Sequence, residues 1–151
     1  MKPDLIEAVV EQPRGSFIKR GTDGRIAIFS PVPCPYNYGC LPATTADDGD
    51  PIDAIVLGPR LPVGTRVHLP LVAWVEFIDD GVRDYKLVLS QAPLNRGEER
   101  GLIRFFRLYV ILKRVVAMMT GRRGATTFVG VHRDLANLRK ALPAAFRNLG
   151  P

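Results

Sequence analysis

Cysteine is scarce. The 151 residues hold two, Cys34 and Cys40, too few for the disulfide scaffold of a small secreted domain. Histidine is equally rare, and His68 and His132 are not spaced to complete a zinc site with the two thiols. Buried free thiols are the expected state. No long apolar run occurs: the most apolar window, Leu108 to Met119, is interrupted by Lys113-Arg114 and falls short of the ~20 residues that cross a bilayer. The first residues, Met1-Lys2-Pro3-Asp4-Leu5-Ile6-Glu7, lack the continuous apolar stretch of a signal peptide. The expected location is therefore the cytoplasm, with no membrane partner. Internal repeats and low-complexity tracts are missing as well. What remains is a chain 46% hydrophobic and 24% charged, the balance of one folded domain over 1–151. At this size folding buries roughly 70% of the unfolded surface, so no disulfide or structural metal is needed.

Acidic residues are the minority, 15 against 21 Lys+Arg, for a formal net charge of +6. The mean field attracts anions such as phosphates, nucleic acid or acidic lipid. Against that background four carboxylates, Asp47, Asp48, Asp50 and Asp53, crowd into seven residues, and a cationic partner is expected among them.

From Glu7 to Val88 the chain reads as short β-rich runs, with Thr22-Asp23-Gly24 marking a hairpin between Ser16–Lys19 and Arg25–Phe29. Further strands are expected at Ala54–Leu57, Arg66–Leu69, Leu71–Phe77 and Tyr85–Leu89. Even spacing of this kind points to a barrel. After Pro93 the pattern changes to a long helix from Glu98 to about Met119, with Leu102, Phe106 and Tyr109 at helical spacing. Ile103, Val110, Ile111, Val115 and Met118 cannot share that stripe, so the helix is expected to pack on the barrel and on a neighbour. Arg96, Arg100, Arg104 and Arg107 gather on one side and read as a solvated face. Asp134 can cap a second helix with Leu135, Leu138 and Leu142 inward, kinked or ended by Pro143.

The chemistry concentrates in Asp48-Gly49-Asp50-Pro51-Ile52-Asp53, which leads directly into Ala54-Ile55-Val56-Leu57. Carboxylates this close repel one another unless metal or cationic groups intervene, and hard divalent ions suit them. An EF-hand is excluded, because the loop would need glycine at Asp53 and glutamate at Pro59. Taken alone, such a loop reads first as plain turn chemistry. A second cluster, Asp79-Asp80 with Asp84-Tyr85-Lys86, changes the balance: two carboxylate groups and a lysine can frame a two-metal site, the lysine answering a phosphate oxygen. Lys19, Tyr36, Tyr38 and Tyr109 add candidate phosphate donors and Glu11 a further carboxylate.

These residues together resemble the soluble family I inorganic pyrophosphatases. The segment Cys34-Pro35-Tyr36-Asn37-Tyr38-Gly39-Cys40-Leu41-Pro42 followed by Asp48-Gly49-Asp50-Pro51-Ile52-Asp53 is similar to the most specific part of that family's pattern. The likeness continues through Glu11-Gln12-Pro13-Arg14-Gly15-Ser16 and Lys19, Pro62-Val63-Gly64, Asp79 to Lys86, and Phe105-Phe106-Arg107-Leu108-Tyr109. It implies a mainly β fold with α (α+β), a five-stranded OB-like barrel with two flanking helices. It implies Mg²⁺-dependent hydrolysis of pyrophosphate, and a homo-oligomer. By resemblance Asp48, Asp53, Asp79 and Asp84 would hold Mg²⁺ with help from Glu11, while Asp50 would orient or deprotonate the attacking water between two metals. Lys19 and Tyr38 would contact one phosphoryl group, and Lys86 and Tyr109 the other.

The chain also departs from the family. Lys19-Arg20-Gly21 stands where Lys-x-Glu is usual, the stretch from Gly24 to Cys34 is short and lacks an Asp-Arg pair, Cys34 replaces an aromatic, and Val110 replaces a lysine. Losing one preorganised donor costs ~10²–10³ in rate. Two other readings therefore stand beside the first: a phosphoanhydride hydrolase of altered specificity, and a non-catalytic OB-like barrel binding nucleic acid or polyphosphate, although nucleic acid is not the expected partner. On the first reading, Val110→Lys is expected to raise catalytic efficiency several-fold, at a packing cost if Val110 is buried.

Overall fold

The computed structural model describes residues 5–20, 25–29, 32–45, 49–122 and 125–141. Five strands close a ring: β1 (Leu5–Gln12), β4 (Asn37–Leu41), β5 (Ile52–Val56), β7 (Val82–Leu89) and β6 (Arg66–Asp79), with β6 returning to β1. Every neighbouring pair in the ring is antiparallel except β5 and β7, which run parallel. β2 (Ile18–Arg20) and β3 (Ile26–Phe29) form a separate antiparallel pair, the hairpin expected from the sequence; its Thr22-Asp23-Gly24 tip lies outside the described residues. β8 (Thr126–His132) extends the sheet beyond β6. With α1 (Arg96–Met119) and α2 (Leu135–Ala141), this is the OB-like barrel with two helices.

The ring closes because one long strand serves two partners. The first part of β6, Arg66 to Pro70, pairs with β1, and the part from Leu71 to Asp79 pairs with β7 on one side and, from Trp74 onward, with β8 on the other. The sequence reading divided this strand at Pro70, since proline has no ladder donor. The structure runs through it: the handover falls at Pro70, whose carbonyl accepts a hydrogen bond from the Ser90 amide at 3.1 Å. β1, β4 and β8 were not among the strands named in advance. β4 lies inside the Cys34–Pro42 segment, and its glycine is a steric requirement. A Cβ on Gly39 would collide with the carbonyl of Val9 on β1. Beside it the fully buried Asn37 accepts from the amides of Arg14 (3.1 Å) and Leu61 (2.9 Å) and donates to the Pro59 carbonyl (2.8 Å), so one side chain ties two loops to the barrel. Asp80 and Gly81, both at positive φ (49° and 82°), form the tight β6–β7 turn. Asp80 thus belongs to the turn, where its Oδ1 accepts from the Ala125 amide at 3.1 Å.

Strand alternation sorts the core into two layers. One face carries Ile6, Ala8, Leu41, Ile52, Ala54, Val56, Trp74, Leu87 and Leu89, and Leu138 of α2 packs against it. The other carries Ile55, Ala73, Val75, Phe77 and Val88 beneath Leu102, Phe106 and Val110 of α1. A five-stranded ring has no room for a 24-residue helix, so the second face is the outside of the barrel. α1 begins two residues earlier than the sequence reading placed it, because Asn95 and Glu98 form a reciprocal capping box (2.8 and 2.9 Å). Its arginines Arg96, Arg100, Arg104 and Arg107 are all exposed, as a solvated face requires. Asp134 caps α2 by accepting from the amides of Ala136 and Asn137; Leu142 and Pro143 lie outside the described residues. Among the described residues no helix is long and apolar enough to cross a membrane.

Candidate active site

The outer face of the barrel is apolar under α1 and charged beyond it, and the strand register explains both halves. Val75 pairs with Lys86, Phe77 with Asp84, and Asp53 with Lys86 across the parallel β5–β7 ladder. Residues opposite one another share a face, and side chains two apart on one strand do too. Asp79 therefore continues the line of Val75 and Phe77, Asp84 and Lys86 precede Val88, and Asp53 precedes Ile55. Cys40 pairs with Asp53 and Tyr38 with Ile55, which brings Tyr38 to the same wall. The local pattern that buries one end of each strand presents the other end as a row of charges.

Those charges interlock. Lys86 Nζ donates to Asp53 Oδ2 at 2.7 Å and to Asp84 Oδ2 at 2.8 Å. The Tyr38 hydroxyl donates to the same Asp53 oxygen at 2.6 Å. Lys19 Nζ stands 3.6 Å from the other oxygen, Asp53 Oδ1, and 3.5 Å from Glu11 Oε2. Both ammonium groups lie over the Tyr38 ring, at 5.1 and 5.6 Å from its centroid. Burial alone would raise the Asp53 carboxyl, but Lys86 and Lys19, with the bonds from Lys86 and Tyr38, outweigh it and hold the group below the usual carboxylate range. Burial and then the Asp53 charge push the Tyr38 phenol well above its ordinary value. Lys86 is held well above its own: burial opposes the charge, and the acidic groups of Tyr38, Asp53 and Asp84 overcome that.

Of the residues singled out in the sequence, the structure brings Glu11, Lys19, Tyr38, Asp53, Asp84 and Lys86 into one connected group. Asp79 sits at its rim, close enough for Lys86 to act on its charge, with Thr126 Oγ1 donating to one oxygen at 2.7 Å and Lys113 Nζ to the other at 3.2 Å. Asp50 is exposed on the loop before β5, just after Gly49 at φ 86°; Asp48 lies outside the described residues. Tyr109 is half-buried beside the rings of Phe105 and Phe106, and Tyr36 packs edge-on against Phe105 at 5.9 Å. Both cysteines are buried and free. Burial pushes the Cys34 thiol up to about 11, and burial with the neighbouring Glu11 carboxylate pushes Cys40 up to about 12, so both stay protonated at neutral pH. His132 stacks on Trp74 at 4.2 Å and reaches Glu76 at 3.2 Å, on the opposite face of β6.

Mg²⁺ takes oxygen ligands and is commonly bound through one or two carboxylates. The side chains here fit in kind: Asp53 and Asp84 already converge on a single positive group, and Glu11 and Asp53 on a second. The convergences are pairwise; among the described residues no three acidic, His or Cys groups close on one point.

The sequence profile described as inorganic pyrophosphatase matches residues 8–120. The chain belongs to the inorganic pyrophosphatase family. It is 31% identical to an inorganic pyrophosphatase of Nostoc sp., over 80% of this chain and 83% of that one. It is 29% identical to soluble inorganic pyrophosphatase 2 of Chlamydomonas reinhardtii, over 97% and 88%. The crystal structure of the inorganic pyrophosphatase from Thermus thermophilus superposes with a TM-score of 0.77 at 23% identity, covering 97% of this chain and 92% of that one. At that identity the superposition speaks for the fold.

Within this pyrophosphatase family member, one departure acquires a physical meaning. Val110 is 6% exposed and packed in the cluster of Phe77, Val88, Leu102 and Phe106. A lysine there would bury its stem and ammonium among apolar side chains rather than present it beside Tyr109. The gain in catalytic efficiency expected from Val110→Lys gives way to a loss of stability of at least ~2 kcal/mol, measurable by urea denaturation. Unchanged stability would mean that the lysine finds a path out of the core. Lys113, one helical turn beyond Tyr109, reaches the site carboxylate Asp79 although the sequence reading passed over it. Its i, i+4 spacing from Tyr109 was the available signal.

Proposed function

We propose that this chain hydrolyses inorganic pyrophosphate to two phosphates with Mg²⁺ as cofactor. The observation that carries this reading is the convergence of Asp53 and Asp84 on Lys86 Nζ, with Tyr38 donating to the same Asp53 oxygen. Groups able to hold a divalent cation and groups able to hold a phosphate are interleaved at hydrogen-bond distance. Glu11, Asp48, Asp53, Asp79 and Asp84 are the carboxylates that would hold the cation. When bound, Mg²⁺ lowers the pKa of water and neutralises charge on the transferring phosphoryl group. Asp50 takes the proton of the attacking water as its oxygen bonds to phosphorus and the bridging P–O bond breaks. Lys19 and Tyr38 hold one phosphoryl group, and Lys86 and Tyr109 the other. The test is release of free phosphate from pyrophosphate with and without Mg²⁺. Mg²⁺-dependent release is the expected result; a folded protein that releases none overturns the reading, and faster release from a nucleoside diphosphate would move it to a phosphoanhydride hydrolase of other specificity.

The same reading includes self-association. Leu108, Ile111, Val115 and Met118 form an exposed stripe on α1, at 47%, 57%, 45% and 80% exposure, on a side of the helix turned away from the barrel. A contiguous apolar stripe of this kind marks an interaction surface. Sedimentation at micromolar concentration is expected to show an assembly larger than one chain. A monodisperse monomer would reject it.

A further inference from the structure

A lysine at the rim of the site has no part in the reading above. Lys113 projects from α1 to Asp79 at the end of β6, Nζ to Oδ2 3.2 Å, while Asp79 keeps a second donor in Thr126 at 2.7 Å. Its neighbour Arg114 anchors this part of the helix, donating through Nε and Nη2 to the Thr126 carbonyl at 3.2 and 2.9 Å. The Lys113–Asp79 pair stays accessible to solvent: the two side chains are 42% and 43% exposed.

The contact repeats a pattern. Lys19 stands between Glu11 and Asp53, Lys86 between Asp53 and Asp84, and Lys113 on Asp79. Each ammonium neutralises a carboxylate on the outer wall, and Lys113 completes the row on the side where α1 meets β6. Lysine suits this position because its flexible stem lets a point charge change partners. A phosphoryl group carrying more than one negative charge competes for that ammonium better than a half-exposed carboxylate does.

We propose that Lys113 is a substrate-binding residue: its ammonium passes from Asp79 to a terminal phosphoryl oxygen of pyrophosphate and leaves Asp79 free to face a cation. The inference rests on the proposed function. Its test therefore uses binding as well as turnover. Imidodiphosphate, whose P–N–P bridge resists hydrolysis, is titrated calorimetrically into the whole protein in the presence of Mg²⁺, and Mg²⁺ alone is titrated separately. Lys113→Ala is expected to bind imidodiphosphate roughly tenfold or more weakly, to bind Mg²⁺ at least as tightly as the unmutated chain, and to keep its melting temperature within a few degrees. Lys113→Arg, which preserves the charge, is expected to recover most of the imidodiphosphate affinity. The exposed Arg104→Ala, on the same helix, serves as the control with unchanged binding. Equal imidodiphosphate affinity in Lys113→Ala overturns the inference. So does weaker Mg²⁺ binding or a lost fold in that variant, either of which would make Lys113 a structural strap. Failure of the unmutated chain to bind imidodiphosphate would remove the proposed function and this inference with it. Binding without phosphate release would remove only the former.

Discussion

Asn in place of Asp50 is expected to leave the fold and Mg²⁺ binding intact and to reduce phosphate release from pyrophosphate by ~10²–10⁴, the usual contribution of a positioned general base. Asp50 supports no core packing: it is exposed on the loop between Gly49 and β5. The substitution removes one oxygen's ability to take a proton while keeping size and hydrogen bonding nearly constant. Turnover, a Mg²⁺ titration and thermal denaturation belong in the same experiment. Near-normal turnover would take the role of base away from Asp50, and a large drop in melting temperature would assign it to structure.

Lys86→Met is expected to damage the protein in a different way. Methionine keeps an unbranched apolar stem of similar length, but Asp53 loses the ammonium at 2.7 Å and keeps Tyr38 and the more distant Lys19. Breaking a buried pair by removing one partner costs about 3–5 kcal/mol, because the remaining charge is left uncompensated. Because Asp53 keeps Tyr38 and Lys19 and its side chain is 24% exposed, the lower end of that range applies at neutral pH. The pH dependence has a definite sign. In the unmutated chain the Asp53 carboxyl is held below its ordinary value; its stabilising effect is present above that ordinary value and is lost as pH falls through the depressed one. In the variant the carboxyl is no longer held down by Lys86 and takes a proton more readily, which relieves the buried charge. The stability gap between the two proteins is therefore expected to narrow between neutral pH and about pH 4, as urea denaturation at both values will measure. A gap that stays constant would show that Asp53 and Lys86 are not coupled.

Carboxylate clustering and the family resemblance named the candidate residues, and strand periodicity accounts for the face on which they lie. Asp53 stands two residues before Ile55, and Lys86 two before Val88, so each charged group had to share a face with a core residue once those segments were strands. The hairpin at Ser16–Phe29, the strands around Ile55 and Val88, the helix after Pro93 and the Asp134 cap follow from equally local rules. Less local features escaped. Asn37 looked like an ordinary member of a motif until its amide was seen to join loops ending at Arg14 and Leu61. β8, Thr126-Thr127-Phe128-Val129-Gly130-Val131-His132, carries no apolar–polar alternation in its residues, so no period of two marked it as a strand. On α1 the expected stripe was Leu102, Phe106 and Tyr109, whereas the buried line is Leu102, Phe106 and Val110. A helix apolar on several sides does not announce which side a barrel will take.

The sequence by itself determined which residues could act together chemically: the carboxylates, lysines and tyrosines, their order, and the strand face on which each had to lie. Backbone stereochemistry enforces that over a few residues, since side chains alternate along a strand and repeat along a helix whatever lies beyond. Only the tertiary structure decided which partners meet. β1 closes on β6 across some sixty residues, from Leu5 to Pro70; β5 lies parallel to β7 and so sets Asp53 against Lys86; and α1 turns Val110 inward while Lys113 reaches Asp79. These pairings depend on loop closure and on burying apolar area between distant segments. Those terms belong to the whole chain and leave no mark in any short stretch of it.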